Sequence, residues 1–81
     1  MLFNHILPAE AISGTHRIIL SSSDHLLIEG HRGLLSYSDD LIRVRLEKGI
    51  LSCAGSQLVI RRFGSNDLTI TGVIRTLELC P

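Results

Sequence analysis

His25, Glu29 and His31 stand at i, i+4 and i+6. On one unbroken strand all three would project from the same face. With His5 or His16 added, such a set could bind zinc. Gly30 interrupts the strand just before His31, however, and no compact ligand motif is present. The simpler reading makes His31 a turn residue bonded to backbone and fixed by Glu29, so no metal is expected. Nucleophilic chemistry fares no better. The nine serines cluster in Ser21-Ser22-Ser23 and at strand ends, where they serve turns, and there is no Gly-x-Ser-x-Gly elbow. Cys53 alternates with Leu51 into an inward position, which makes it a buried, inert thiol, while Cys80 is expected to be exposed. No glycine-rich loop of phosphate-binding type occurs. No catalytic constellation, cofactor or small-molecule substrate is therefore expected.

Arginines are the more informative polar residues. Seven of the eight basic residues are Arg, with Lys48 alone. Arg43 and Arg45 share one strand face, and Arg61 and Arg62 lie on a neighbouring strand in sequence. A patch of this kind suits nucleic acid or a protein partner. Eight acidic residues balance the eight basic ones, and aromatics are only 4%. Single-strand binders need stacking platforms and a cationic field, so a partner-docking face is the better reading and nucleic acid the alternative. A solvated face with cross-strand pairs to Glu29, Asp39 or Glu47 is the plainest alternative.

The elements that carry these residues follow from period and punctuation. The chain has 81 residues, one small domain, too short for a (β/α)₈ barrel or a full dinucleotide-binding domain. Its core must be aliphatic, since Ile, Leu and Val make up a third of it. From Arg17 onward the apolar period is two, broken by Ser/Gly/Asn/Asp clusters. This predicts about eight short strands at 17–20, 25–29, 33–37, 40–47, 50–54, 57–62, 67–71 and 73–79. Lys48-Gly49 suits a tight hairpin with Gly49 at positive φ. Three segments of the form apolar-x-apolar-x-Gly end at Gly30, Gly55 and Gly72, with unequal spacing. They read as strands ending where the backbone bends. The expected fold is all-β, a small antiparallel β-sandwich or open barrel, with a short β-solenoid as alternative. Residues 1–16 read as an N-terminal arm or a short helical turn near 8–13, opened by Pro8, and 17–81 as a single all-β domain. No signal peptide or membrane span is visible, and two cysteines make no disulfide framework, which favours a cytoplasmic protein. Unprotected sheet edges predict a homo-oligomer or a strand-adding partner.

The segment from His25 to Leu79 also resembles a family. It reads Ile28-Glu29-Gly30-His31-Arg32-Gly33, then Gly49-Ile50-Leu51 through Gly55 to Leu58-Val59-Ile60, and closes with Ile70-Thr71-Gly72-Val73-Ile74. This is similar to the YabP/YqfC family of sporulation proteins, more closely its YqfC branch. Gly30 replaces the family's usual Asn and Cys53 its usual aliphatic residue. The turn of Glu29, His31, Arg32 and Gly33 is the most specific element. The resemblance implies a non-enzymatic protein of the mother cell of an endospore-forming bacterium. It would act as an interaction or scaffold module in spore envelope or coat development. Relatives are encoded beside a membrane-anchored sporulation protein, which implies such a partner and a peripheral place at the forespore membrane. The family brings no catalytic residue or cofactor to carry over.

Overall fold

The computed structural model describes residues 10–13, 16–22 and 24–80. These form seven strands: β1 (Glu10–Ser13), β2 (His16–Ser21), β3 (His25–Glu29), β4 (Gly33–Tyr37), β5 (Leu41–Leu46), β6 (Gly49–Phe63) and β7 (Asp67–Cys80). All pair antiparallel in a single sheet of order β1-β2-β3-β7-β6-β5-β4. An all-β fold is what the period of two requires. An antiparallel sheet of this order is no solenoid, whose strands would stack in one direction.

The number of strands differs from eight in two ways. The segments 50–54 and 57–62 are one long strand, β6, and 67–71 and 73–79 are likewise β7. Gly55 and Gly72 bend these strands instead of ending them. A Cβ on Gly55 would overlap the Val73 carbonyl, and one on Gly72, which holds φ 130°, would overlap that of Gln57. The two backbones cross so closely that glycine is required on both sides. The β6–β7 register shifts at Ala54/Gly55, Ser56/Val59 and Ile60/Arg62, so bulges add to the bend. The burial phase changes with it: Leu51 and Cys53 point inward before the bend, Leu58 after it.

The helical turn expected near 8–13 is replaced from residue 10 by β1, which pairs with β2. Cross-strand bonding overrides the local Pro8 and Gly14 signals. The all-β domain thus begins before residue 17, and the arm of residues 1–9 lies outside the described residues. In the β5–β6 hairpin Glu47 and Lys48 form the turn. Gly49 pairs with Leu46 as the first residue of β6 and is not among the positive-φ glycines, Gly30, Gly33 and Gly72.

Bending divides the sheet into two halves. One holds β4, β5, the start of β6 and the end of β7; the other holds β1, β2, β3, the start of β7 and the end of β6. Ile28, Leu68 and Ile70 of the second half are fully buried, yet no helix among the described residues covers them. Their cover is the inward face of the first half, Ile42, Val44, Leu51 and Cys53, with which they share one core. The sheet is therefore folded across its own core, sandwich-like without a second sheet.

One side of this fold is stitched shut. The β4–β5 turn of Ser38 to Asp40 places the Asp39 carbonyl on the Leu58 N–H (2.9 Å) and the Asp40 carbonyl on the Gly55 N–H (3.1 Å). The Ile60 N–H donates a longer bond to the Tyr37 hydroxyl (3.4 Å). Donors that the bulged part of β6 leaves unpaired are thereby satisfied.

Candidate functional site

The family-like turn closes the same seam at its other end. After Glu29 the chain must leave one half of the sheet and enter the other within three residues. Gly30, at φ 85°, makes the sharp exit, and its N–H donates to the Asn66 carbonyl (2.7 Å). His31 is buried, 6% exposed, among backbone partners. The Gly33 N–H donates to its Nδ1 (3.0 Å), so the ring hydrogen sits on Nε2, which donates to the Gly64 carbonyl (3.0 Å). The Phe63 ring lies 5.4 Å away, tilted by 30°. Both imidazole nitrogens are occupied by backbone, so His31 is a staple and not a free base or ligand. Its turn-residue role stands, but Glu29 does not fix it. Glu29 lies within 3.7 Å of Arg17 instead. His25, Glu29 and His31 do not converge: His25 is exposed on β3, where it pairs with Thr71. Among the described residues no group of three or more His, Cys, Asp or Glu side chains could hold a metal ion.

The four arginines singled out in the sequence lie on two strands, β5 and β6. Strand β5 alternates strictly, with Ile42, Val44 and Leu46 buried, so Arg43 and Arg45 share the outer face of the β4–β5 half. Arg61 and Arg62 lie exposed at the end of β6. Arg61 Nε donates to Thr71 Oγ1 (3.1 Å), and Arg62 Nε to Asp67 Oδ2 (3.0 Å). Arg62 is therefore already neutralised within its own hairpin.

A different arginine joins Arg43 and Arg45. The Arg32 N–H donates to the Arg45 carbonyl (2.7 Å), and Gly33 stands opposite Arg45 in the β4–β5 register. Arg32 is exposed there, one residue past the His31 staple. In the sequence Arg32 belongs to the motif turn and Arg45 to a strand; the signal linking them is the β4–β5 register, which a bulge between Leu34 and Ser36 hides. No ion pair to Arg32, Arg43 or Arg45 is found among the described residues. Three exposed cations close together, with Ser52 and then Glu78 across from Arg43, make a surface that favours an anion.

Cys53 sits on the inner face between Ile42 and Leu77, and burial pushes its thiol up to about 12 from 9.0. It is inert packing, whereas Cys80 is exposed.

The fold and this surface define a class: small all-β domains with a bent single sheet, a stapled crossover turn and a cationic outer face. The chain belongs to the YabP family, which it matches over residues 12–80, β2 to β7 and the stapled turn included. It is similar to a protein of Bacillus subtilis (strain 168) named Uncharacterized protein YqfC, with 29% identity over 68 residues, 84% of this chain and 73% of that one. The resemblance seen in the Gly30 to Gly33 turn and the Ile70 to Ile74 segment is thus a family relationship.

Proposed function

We infer from membership of the YabP/YqfC family that this is a sporulation-related protein. We propose that this chain is a non-enzymatic interaction module of the sporulation programme, working in the mother-cell cytoplasm. It binds an acidic segment of a membrane-anchored sporulation protein, and so stands at the forespore membrane through that partner. It serves there as a scaffold in spore envelope or coat development. The single observation that carries the reading is the arginine trio, with Arg43 and Arg45 exposed on the outer face of β5 and Arg32 brought beside Arg45 by the His31 turn, none of them in an ion pair among the described residues. Guanidinium groups bind carboxylates in two-pronged geometry, which suits an acidic strand or loop. The nucleic-acid alternative is less favoured, because Arg62 is paired with Asp67 and the chain carries no net charge.

The test is co-purification with the membrane-anchored sporulation protein encoded beside this chain's gene. Arg43→Glu together with Arg45→Glu alters exposed side chains only, so the melting curve should hold within about 1 kcal/mol. Capture of the partner should fall by roughly a hundredfold or more, as expected when several rim charges are reversed. Undiminished capture by a folded double variant refutes the docking face, and no capture by the unaltered chain refutes the partner.

A further inference from the structure

Strand β3 pairs with β7 only from Asp67 to Thr71, so beyond the Gly72 bend one side of β7 has no strand beside it among the described residues. Two features mark the exposed stretch. Leu79 pairs with Leu51 and shares its core-facing side, yet it is 43% exposed because the sheet stops there. A core-facing leucine at a sheet edge lacks a neighbour that a further strand would supply. Second, Ile74 and Leu77 are both buried, which leaves Arg75 and Thr76 together on the outer face of the bulge, followed by Glu78. One short edge thus carries a cation and an anion on the same side, three positions apart. Neither has an ion-pair partner among the described residues.

We propose that the edge of β7 from Arg75 to Leu79 pairs antiparallel with the same edge of a second copy, joining the two sheets across a two-fold axis. The register follows from side-chain chemistry. A two-fold pair that keeps the core sides aligned must centre on a residue facing itself. Centring on Glu78 sets two carboxylates opposite each other, which is repulsive. Centring on Leu77 sets Glu78 opposite Thr76 of the second copy, diagonal to its Arg75 and within reach of that long side chain. Two reciprocal Arg75–Glu78 pairs result. Leu79 comes to rest beside Leu77 of the other copy, and the two cores become continuous. Main-chain bonds supply affinity and the charges supply register. The proposal is independent of the arginine trio, which occupies β5 and the crossover turn.

Sedimentation of the full chain reads the mass directly. The unaltered chain should sediment as a dimer. Arg75→Glu alone, or Glu78→Arg alone, sets like charges across the axis and should weaken self-association by roughly tenfold or more. The double variant, Arg75→Glu with Glu78→Arg, restores opposite pairs and should restore the dimer. All these side chains are exposed, so folding is kept and checked by the melting curve. A monomeric unaltered chain overturns the proposal, as does a dimer that neither single reversal weakens. Loss of this dimer with intact partner capture would leave the docking face standing.

Discussion

Cys53 illustrates how much one alternating position determines. Its inward placement follows from Leu51 two residues earlier, and its burial holds the thiol protonated up to about 12. The unfolded chain releases that proton near 9.0, so unfolding is favoured increasingly once the pH passes 9.0. The contribution is complete below that point and is lost between about 9 and 12, at about 1.4 kcal/mol per pH unit. The alkaline stability curve of Cys53→Ala should start lower and slope less over that window. A thiol reagent at neutral pH should modify Cys80 promptly and Cys53 only after denaturation; prompt modification of both contradicts the packing. Alternation was less reliable near bulges. Leu35 is exposed and its neighbour Leu34 packs on the core, because the register shifts between Leu34 and Ser36. Where β5 has no bulge the alternation runs unbroken to its last residue, the buried Leu46.

The bent β6–β7 hairpin decides the architecture at the level of elements. Gly55→Ala and Gly72→Ala should each cost about 2–6 kcal/mol, combining overlap with a backbone carbonyl and, at Gly72, a strained φ. Gly33→Ala, where nothing lies within 4 Å of an added Cβ, should cost only the φ strain, about 1–3 kcal/mol. Chemical denaturation of the three variants gives the ranking, and equal costs would show that the bend needs no glycine. These glycines were legible as punctuation but not as hinges. A strand that stops and a strand that bends both interrupt the period of two. Only the partner backbone, Gln57 against Gly72 and Val73 against Gly55, distinguishes them. The same limit applied to β1. Four residues flanked by Pro8 and Gly14 carry helix-turn signals, and pairing with β2 is invisible to a local reading.

For the molecule as a whole, the seam between β4 and the end of β6 keeps the folded sheet closed, and His31 is the stitch at one end of it. His31→Ala strands the Gly33 N–H and the Gly64 carbonyl, and should cost about 2–4 kcal/mol. It should also lower partner capture by releasing Arg32 from Arg45. Unfolding curves and the capture assay on one variant check both, and an unchanged melting curve removes the staple. The arginine trio was only partly legible for the same reason as the seam. Arg43 and Arg45 follow from alternation, but Arg32 joins them through a crossover between halves. Strand order was not legible at all, since β3 and β4 are consecutive in sequence and lie on either side of the β6–β7 hairpin. That order has a consequence during synthesis. On the ribosome, β1 to β3 and then β4 to β5 emerge before the hairpin that must sit between them. Glu29 waits for Asp67, and Leu26 for Ile70. Until β7 clears the exit tunnel, the nascent chain displays unsealed apolar strands, which makes it a client for chaperones that hold growing polypeptides.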